Sequence, residues 1–289
     1  MSAPSRGGSA AELTDVRAAR VKTAKRLLKR AYRDHDRAFL AEGAQAVREA
    51  LAETRAGDRP VVRELFFTAE ARARHGDLVD RAVEIGVPVQ QASGRVLAEL
   101  SDTVTPQGLV AVCELVDVSL EKALANGRDA DDGPHLVVLL AAVRDPGNAG
   151  TVLRTADAAG ASAIVFSESS VDPYNGKCVR ASAGSLFHLP LVVGAPTIAA
   201  IETLRRSGLT VLAADGRPDA DSLDDLERRG DLAGPTAWIF GNEAWGLPAD
   251  VLDAADSTVR VPIHGRAESL NLAAAAAVCL YASARSRRP

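Results

Sequence analysis

The sequence has no apolar run long enough to cross a membrane. Its longest apolar stretch, "LAAAAAVCLYA" near the C-terminus, holds 11 residues, against the roughly 20 that a helical span requires. Cysteine occurs only as Cys113, Cys178 and Cys279, with no close spacing, which argues against a disulfide framework and points to a reducing, cytoplasmic setting. The opening "MSAPSRGGSA" lacks the apolar core of an export signal; residues 1–15 are expected to be a disordered lead-in. No GxGxxG follows a strand and no GxxxxGK[ST] occurs, so neither the usual dinucleotide fingerprint nor a P-loop is supported. The five histidines (His35, His75, His135, His188, His264) are scattered without metal-ligand spacing, so no metal is expected. No GxSxG elbow surrounds Ser185 or Ser269, which leaves a serine hydrolase without support.

What is present suits one or two globular domains: 289 residues, 47% hydrophobic and 25% charged. The net charge of −4 hides an uneven distribution. Residues 17–37 hold nine Lys/Arg against Asp34 and Asp36, a local charge of +7 that leaves −11 for the remainder. A basic stripe on a helical segment, with few interleaved acids of its own, is what a phosphate-backbone partner requires. Lys22, Lys25, Arg26, Lys29 and Arg30 are the candidate nucleic-acid contacts within it.

Residues 16–116 alternate helix-like and strand-like segments, as expected of a small α/β domain. "RAFLAEGAQAVREALAE" has helical spacing, and "VRELFFTAEA" and "SDTVTPQGLVAVCEL" contain strands. Residues 117–134, with "ANGRDADDGP", are polar, acidic and glycine-bearing, and read as a linker. Residues 135–289 open with "PHLVVLLAAV", a continuous apolar run of the kind buried on both faces of a parallel sheet. "ASAIVFSE", "GLTVLAAD" and "TAWIFGNE" repeat that character, each preceded by helix-like sequence. The expectation is a parallel sheet flanked by helices, with ligands beyond the carboxyl ends of its strands.

Three loops at such ends carry the candidate chemistry. In "RDPGNAGTVLRTADAAGA", Asp145, Pro146, Gly147, Asn148 and Gly150 make a tight turn into a helix. Arg154 follows one turn later as a candidate phosphate ligand, and Asn148 reads either as a helix cap or as a site amide. In "IFGNEAWGLP", an apolar strand ends on Gly241, Asn242, Glu243, Trp245 and Gly246, where glycine permits close backbone approach. In "VPIHGRAESLNLAAAAAVCLY", Ser269 and Asn271 precede an alanine-rich helix, and Ser269 by itself reads as a cap.

Taken in this order, "NAGTVLRTADAAGA", "IFGNEAWGLP" and "VPIHGRAESLNLAAAAAV" resemble the three signature motifs of the SpoU (TrmH) family of RNA ribose 2′-O-methyltransferases. "VRASAGSLFHLP" resembles a further family segment, and "FLAEGAQAVREAL" is similar, more loosely, to the family's N-terminal RNA-binding domain, which resembles α/β ribosomal proteins. The third motif departs from the family at Ile263 and His264, and at Leu272 and Ala273. The resemblance implies a trefoil-knotted methyltransferase domain, a homodimer and S-adenosylmethionine as cofactor. It places Gly241, Ile263, Leu270, Ala213 and Ala214, with Asp215 beside them, at the cofactor. Asn148, Glu243, Ser269 and Asn271 would hold the loops and the ribose, Arg154 would act at the reacting hydroxyl, and Arg180 would be a second phosphate contact. Ribosomal RNA of the large subunit, 23S, is favoured over transfer RNA because of the extra N-terminal domain. A silent RNA-binding protein of the same fold is the reading of a different class.

Overall fold

The computed structural model describes residues 11–55, 59–126 and 135–287, and the chain divides into two compact units, Met1–Leu115 and Val116–Pro289. The first contains α1 (Ala19–Arg26), α2 (Arg30–Asp36), β1 (Ala38–Glu42), α3 (Ala44–Ala52), a short ladder of β2 (Thr54–Arg55) with β3 (Arg59–Pro60), β4 (Val62–Phe67), α4 (Ala69–Arg74), α5 (Gly76–Glu84), β5 (Val89–Gln91), α6 (Gly94–Glu99) and β6 (Leu109–Glu114). Its sheet runs β1-β6-β4-β5, antiparallel except for the β4–β5 pair.

Two expectations for this unit are corrected. The stretch 38–51 has helical spacing throughout, yet Ala38–Glu42 form a strand with all five residues buried. Gly43, at φ +94°, then turns the chain into α3, and a Cβ there would lie 2.9 Å from the Gln107 side-chain oxygen. Burial in the sheet overrides the local helical preference. Residues 11–15 are not a free lead-in: the Leu13 amide donates to the Gln91 carbonyl at 2.9 Å, and the Ser93 amide donates to the Leu13 carbonyl at 3.0 Å. Residues 1–10 lie outside the described residues.

The second unit contains α7 (Leu120–Asn126), β7 (Leu136–Leu140), α8 (Pro146–Ala158), β8 (Ala163–Ser167), α9 (Gly176–Ser182), β9 (Leu191–Ala195), α10 (Thr197–Arg206), β10 (Thr210–Ala214), β11 (Asp221–Ser222), α11 (Leu223–Arg229), β12 (Thr236–Phe240), α12 (Ala249–Ala254), β13 (Ser257–Arg260) and α13 (Leu272–Ser286). Its seven strands are all parallel, in the order β11-β13-β10-β12-β7-β8-β9. The four continuous apolar runs of the sequence are the four central strands, covered on both faces. β9, β11 and β13, at the margins, are shorter or less apolar and escaped the sequence pattern. From β7 the chain builds outward through β8 and β9, then returns to the other side, so the order reverses between β7 and β12, the kind of place where open parallel sheets bind ligands.

Within the stretch expected to be a linker, residues 127–134 lie outside the described residues. Leu120–Asn126 instead form α7, whose Leu120, Ala123 and Leu124 are buried in the core of this unit. The acidic composition of 127–134 hid three buried apolar positions just before it.

Helix α8 shows how local sequence positions the later chemistry. Asp145, not Asn148, is its N-cap: its Oδ1 accepts from the Asn148 amide at 2.7 Å, and Pro146 occupies the first helical position. Lys177 Nζ donates to Asp145 Oδ2 at 2.6 Å. The Lys177 hydrogen bond, assisted by the Asn148 amide, holds the Asp145 carboxyl below the usual carboxylate range. Gly150 lies inside the helix rather than in the turn before it. A Cβ there would lie 2.4 Å from the Cys178 carbonyl oxygen and 2.7 Å from Ala181 Cβ, so α8 and α9 touch backbone to backbone at this point.

Two outcomes follow for stability. Gly150→Ala is expected to overpack this contact and destabilise the protein by about 1–3 kcal/mol, read as a lowered urea midpoint with an unchanged slope. Asp145→Ala removes the cap at a cost of about 1 kcal/mol at neutral pH. Because the folded carboxyl ionises below its unfolded value, that contribution is full above the ordinary carboxylate pKa of about 4. It fades as pH falls through the depressed folded value, so the two proteins' midpoints should converge in acid.

Candidate active site

The carboxyl ends of β7, β10, β12 and β13 and the loops that follow them supply the setting. Asn242, two residues beyond β12, is buried and pairs with Gly246 at the far side of a tight loop, each amide donating to the other's carbonyl at 2.9 Å. Asn242 Nδ2 also donates to the Ala142 carbonyl beyond β7 at 2.9 Å, and its Oδ1 accepts from the Ala244 amide at 2.8 Å. Ala142 has φ +57°. Two serines, one ending β8 and one just after it, hold this stretch: the Ala142 amide donates to Ser167 Oγ at 3.1 Å, and Ser170 Oγ accepts from the Val143 amide at 3.2 Å while donating to the Leu140 carbonyl at 2.8 Å.

Glu243 then reaches back from the β12 loop to the β7 loop. Its Oε2 accepts from the Arg144 amide at 3.3 Å, and its Oε1 accepts from the Asp145 amide at 3.3 Å and from Asn148 Nδ2 at 3.2 Å. Asn148 Oδ1 in turn accepts from Asn271 Nδ2 at 3.1 Å. Asn271, not Ser269, is the N-cap of α13, its Oδ1 accepting from the Ala273 amide at 2.9 Å. The short amide side chain two residues later in the chain matches the start of the helix, which leaves Ser269 in the loop. One chain of hydrogen bonds therefore joins the three loops.

These loops enclose a cavity of about 730 Å³, within the usual range for small-molecule sites. Asn148, Gly241, Glu243, Ile263, Ser269, Leu270, Asn271 and Ala214 all line it, and Asp215 does too. Ile263 and Leu270 remain 38% and 40% exposed, leaving apolar surface turned into an open space. A Cβ on Gly241 would lie 2.5 Å from the Gly246 carbonyl oxygen, so the wall admits no side chain there. Ala213 is a correction: successive strand residues face opposite ways, and while Ala214 lines the cavity, Ala213 is fully buried in the core on the other side.

Arg154 is exposed on the outer face of α8, off the cavity wall, and makes no ion pair among the described residues. Arg180, half-buried on α9, is also off that wall. Glu268 and Arg260 do line the cavity and were not singled out in the sequence. Glu268 sits one residue before Ser269, inside the quoted third loop, so its signal was proximity alone. Arg260 ends β13, a marginal strand without an apolar run. Among the described residues no cluster of three His, Cys, Asp or Glu is placed to hold a metal, and no helix is long and apolar enough to cross a membrane. The three cysteines are free and buried; burial pushes the thiols of Cys113 and Cys178 up, and that of Cys279 up to about 12.

In the first unit the basic stripe spans two short helices. Acids remote in sequence neutralise part of it: Arg20 pairs with Glu64 and Lys25 with Glu99. Arg26 Nε meets Asp36 at 2.7 Å and Arg30 Nε meets Asp34 at 3.8 Å. Arg33 is buried and donates to the Leu27 and Leu28 carbonyls, both at 2.9 Å. Lys22 and Lys29 are exposed and make no ion pair among the described residues.

Known proteins match both units. A model of the SpoU rRNA Methylase family matches residues 135–281, and a model of the MRM3-like substrate binding domain matches residues 18–111. The chain is 34% identical over 262 residues to the Bacillus subtilis 23S rRNA (guanosine(2553)-2′-O)-methyltransferase RlmP, covering 91% of this chain and 94% of that protein. It is 30% identical to the 23S rRNA (guanosine-2′-O-)-methyltransferase RlmB of Ralstonia nicotianae, over 80% of this chain and 90% of that one. An AdoMet-bound rRNA methyltransferase from Sinorhizobium meliloti superposes with a TM-score of 0.78 at 32% identity, covering 96% of this chain and 98% of the other. The SpoU methyltransferase AviRb from Streptomyces viridochromogenes, in complex with AdoMet, does so with a TM-score of 0.76 at 29% identity, covering 93% and 98%. With the family model spanning more than half of it, the chain belongs to the SpoU rRNA methylase family.

Proposed function

We propose that this protein is an S-adenosylmethionine-dependent methyltransferase that modifies a ribose 2′-hydroxyl in RNA, with 23S ribosomal RNA as substrate. The observation that carries the reading is the convergence of three sequence-distant loops, joined through Glu243, Asn148 and Asn271, on one open cavity. The relatives' substrates support the choice of ribosomal RNA, as does the substrate-binding domain model matched by the first unit.

The cavity fits the cofactor by its own chemistry. Close backbone approach at Gly241 offers main-chain groups, and the exposed faces of Ile263 and Leu270 beside Ala214 offer apolar contact. When bound there, S-adenosylmethionine supplies an electrophilic methyl group on a sulfonium. The protein's part is to orient the ribose hydroxyl, a contribution of up to roughly 7–11 kcal/mol in favourable cases. Asn148 and Glu243 hold the loops in register, and Ser269 is free of the capping role and available to the ribose. A guanidinium, with a pKa above about 12, is a poor base. Arg154 instead binds the phosphate of the target nucleotide from outside the cavity wall, and its charge favours the alkoxide character that develops as the hydroxyl's proton passes to solvent.

Two finer features belong to this reading. The C-terminal segment follows a knotted path, supported by the loop after β13 sharing a cavity with the loops after β10 and β12. The active form is a homodimer in a cytoplasmic setting. Support for the dimer comes from Val278 and Tyr281 on α13, 41% and 44% exposed on one face of a helix that packs against α8, the helix bearing Arg154.

Labelled methyl groups should pass from S-adenosylmethionine into large-subunit rRNA and not into small-subunit rRNA or tRNA; transfer into tRNA alone would reverse the substrate assignment, and cofactor binding with no transfer to RNA or to ribosomal particles would favour a silent binder. Arg154→Ala should abolish transfer, while Arg154→Lys should keep part of it if charge is what matters; equal losses would point to the planar guanidinium. Asn148→Asp sets a second carboxylate against Glu243 where a donor stood, and should weaken cofactor binding by at least about tenfold, since a hydrogen bond to a charged group is worth roughly 1.5–3 kcal/mol; isothermal titration reads it.

A further inference from the structure

The chain has two tryptophans with opposite fates. Trp238 is fully buried, stacks on Phe240 and donates from its indole nitrogen to Ser283 Oγ at 2.9 Å. Trp245 is 63% exposed, and its indole nitrogen has no hydrogen-bond partner among the described residues. It does not sit on a loose segment. Both its neighbours, Ala244 and Gly246, line the cavity, while its own side chain is not part of that wall. The loop beneath it is closed by the paired Asn242 and Gly246 bonds at 2.9 Å, and Glu243 ties it to the Arg144 and Asp145 amides. The backbone is thus fixed, and a large flat apolar ring is held in solvent at the edge of the site.

Resting on the methyltransferase reading above, we propose that Trp245 is the stacking platform for an unpaired nucleobase of the RNA, and so positions the target ribose over the cavity. A base is attached to the sugar carbon next to the one bearing the 2′-hydroxyl. When that hydroxyl is directed into the cavity, the base must lie within one sugar's width of its edge, where the indole stands. A base in a duplex already has stacked neighbours, whereas one drawn out of its stack needs a replacement face, and an aromatic ring supplies it without reading sequence. The rigid loop means that little side-chain or backbone freedom is lost on contact. Trp245 is a positioning residue: it acts on the base, not on the reacting oxygen.

The two tryptophans make the test direct, because only Trp245 is accessible to solvent. Protein-free large-subunit rRNA should quench the exposed emission and shield it from acrylamide, and Trp245→Phe should remove that signal. Trp245→Ala and Trp245→Leu should raise the KM for RNA by about tenfold with cofactor affinity and dimer mass unchanged, while Trp245→Phe stays close to wild type. The proposal is overturned if saturating RNA leaves the emission unchanged, if leucine serves as well as phenylalanine, or if the alanine variant loses cofactor affinity or dimer mass, which would assign the ring to the cavity wall or to a subunit interface. Methyl transfer that is indifferent to Trp245 sinks this inference alone. RNA quenching without methyl transfer sinks the enzymatic reading and leaves the platform standing, and absence of RNA binding sinks both.

Discussion

Everything at the site depends on one carboxylate. Glu243 leaves the end of β12 and accepts hydrogen bonds from two backbone amides and one side-chain amide beyond the end of the adjacent strand β7. An ionised carboxylate only accepts, and three donors converge on it from one side, so the two loops are locked in a single register. Asn148 passes the constraint on, since its amide donates to Glu243 while its oxygen accepts from Asn271. Asn271 in turn caps the last helix. A group at the end of one strand thereby sets the starts of two helices that lie more than a hundred residues apart.

That lock works because the surrounding frame tolerates close approach. Glycine at 241 lets the main chain pass the Gly246 carbonyl, and glycine at 150 lets α8 meet the backbone of α9. On the face of β12 that carries Phe240 to the cavity, Trp238 is buried and bonds to Ser283 of α13, so the helix that begins in the site is also tied to the sheet near its other end. Packing on both sides of the central strands turns small residues at a few places into the walls of a defined cavity.

The first unit illustrates how charge read along a chain differs from charge presented in space. The basic stretch has few acids of its own, yet Glu64 and Glu99 arrive from β4 and α6 to meet Arg20 and Lys25. The exposed Lys25–Glu99 pair contributes little to stability, but both pairs lower the local positive field. Of Lys22, Lys25, Arg26, Lys29 and Arg30, only Lys22 and Lys29 are left without an ion pair among the described residues.

The sequence by itself determined the central sheet, because four continuous apolar runs can be buried only where strands are covered on both faces. It also determined the three loops, because glycine, amides and a carboxylate at strand ends are placed there by the chain's own order. What it could not determine was pairing across distance. The strand at Ala38–Glu42 carries helical spacing and was decided by burial; α7 was hidden beside an acidic stretch; the caps fell to Asp145 and Asn271 because helix starts are selected by backbone geometry as well as by residue type. Ala213 and Ala214 are identical in type and adjacent, and only the strand's alternation, fixed by its partners in the sheet, sends one to the core and the other to the cavity. Hydrogen bonds and ion pairs between residues far apart in the chain exist only once the fold has brought them together, and those are the interactions that make the site.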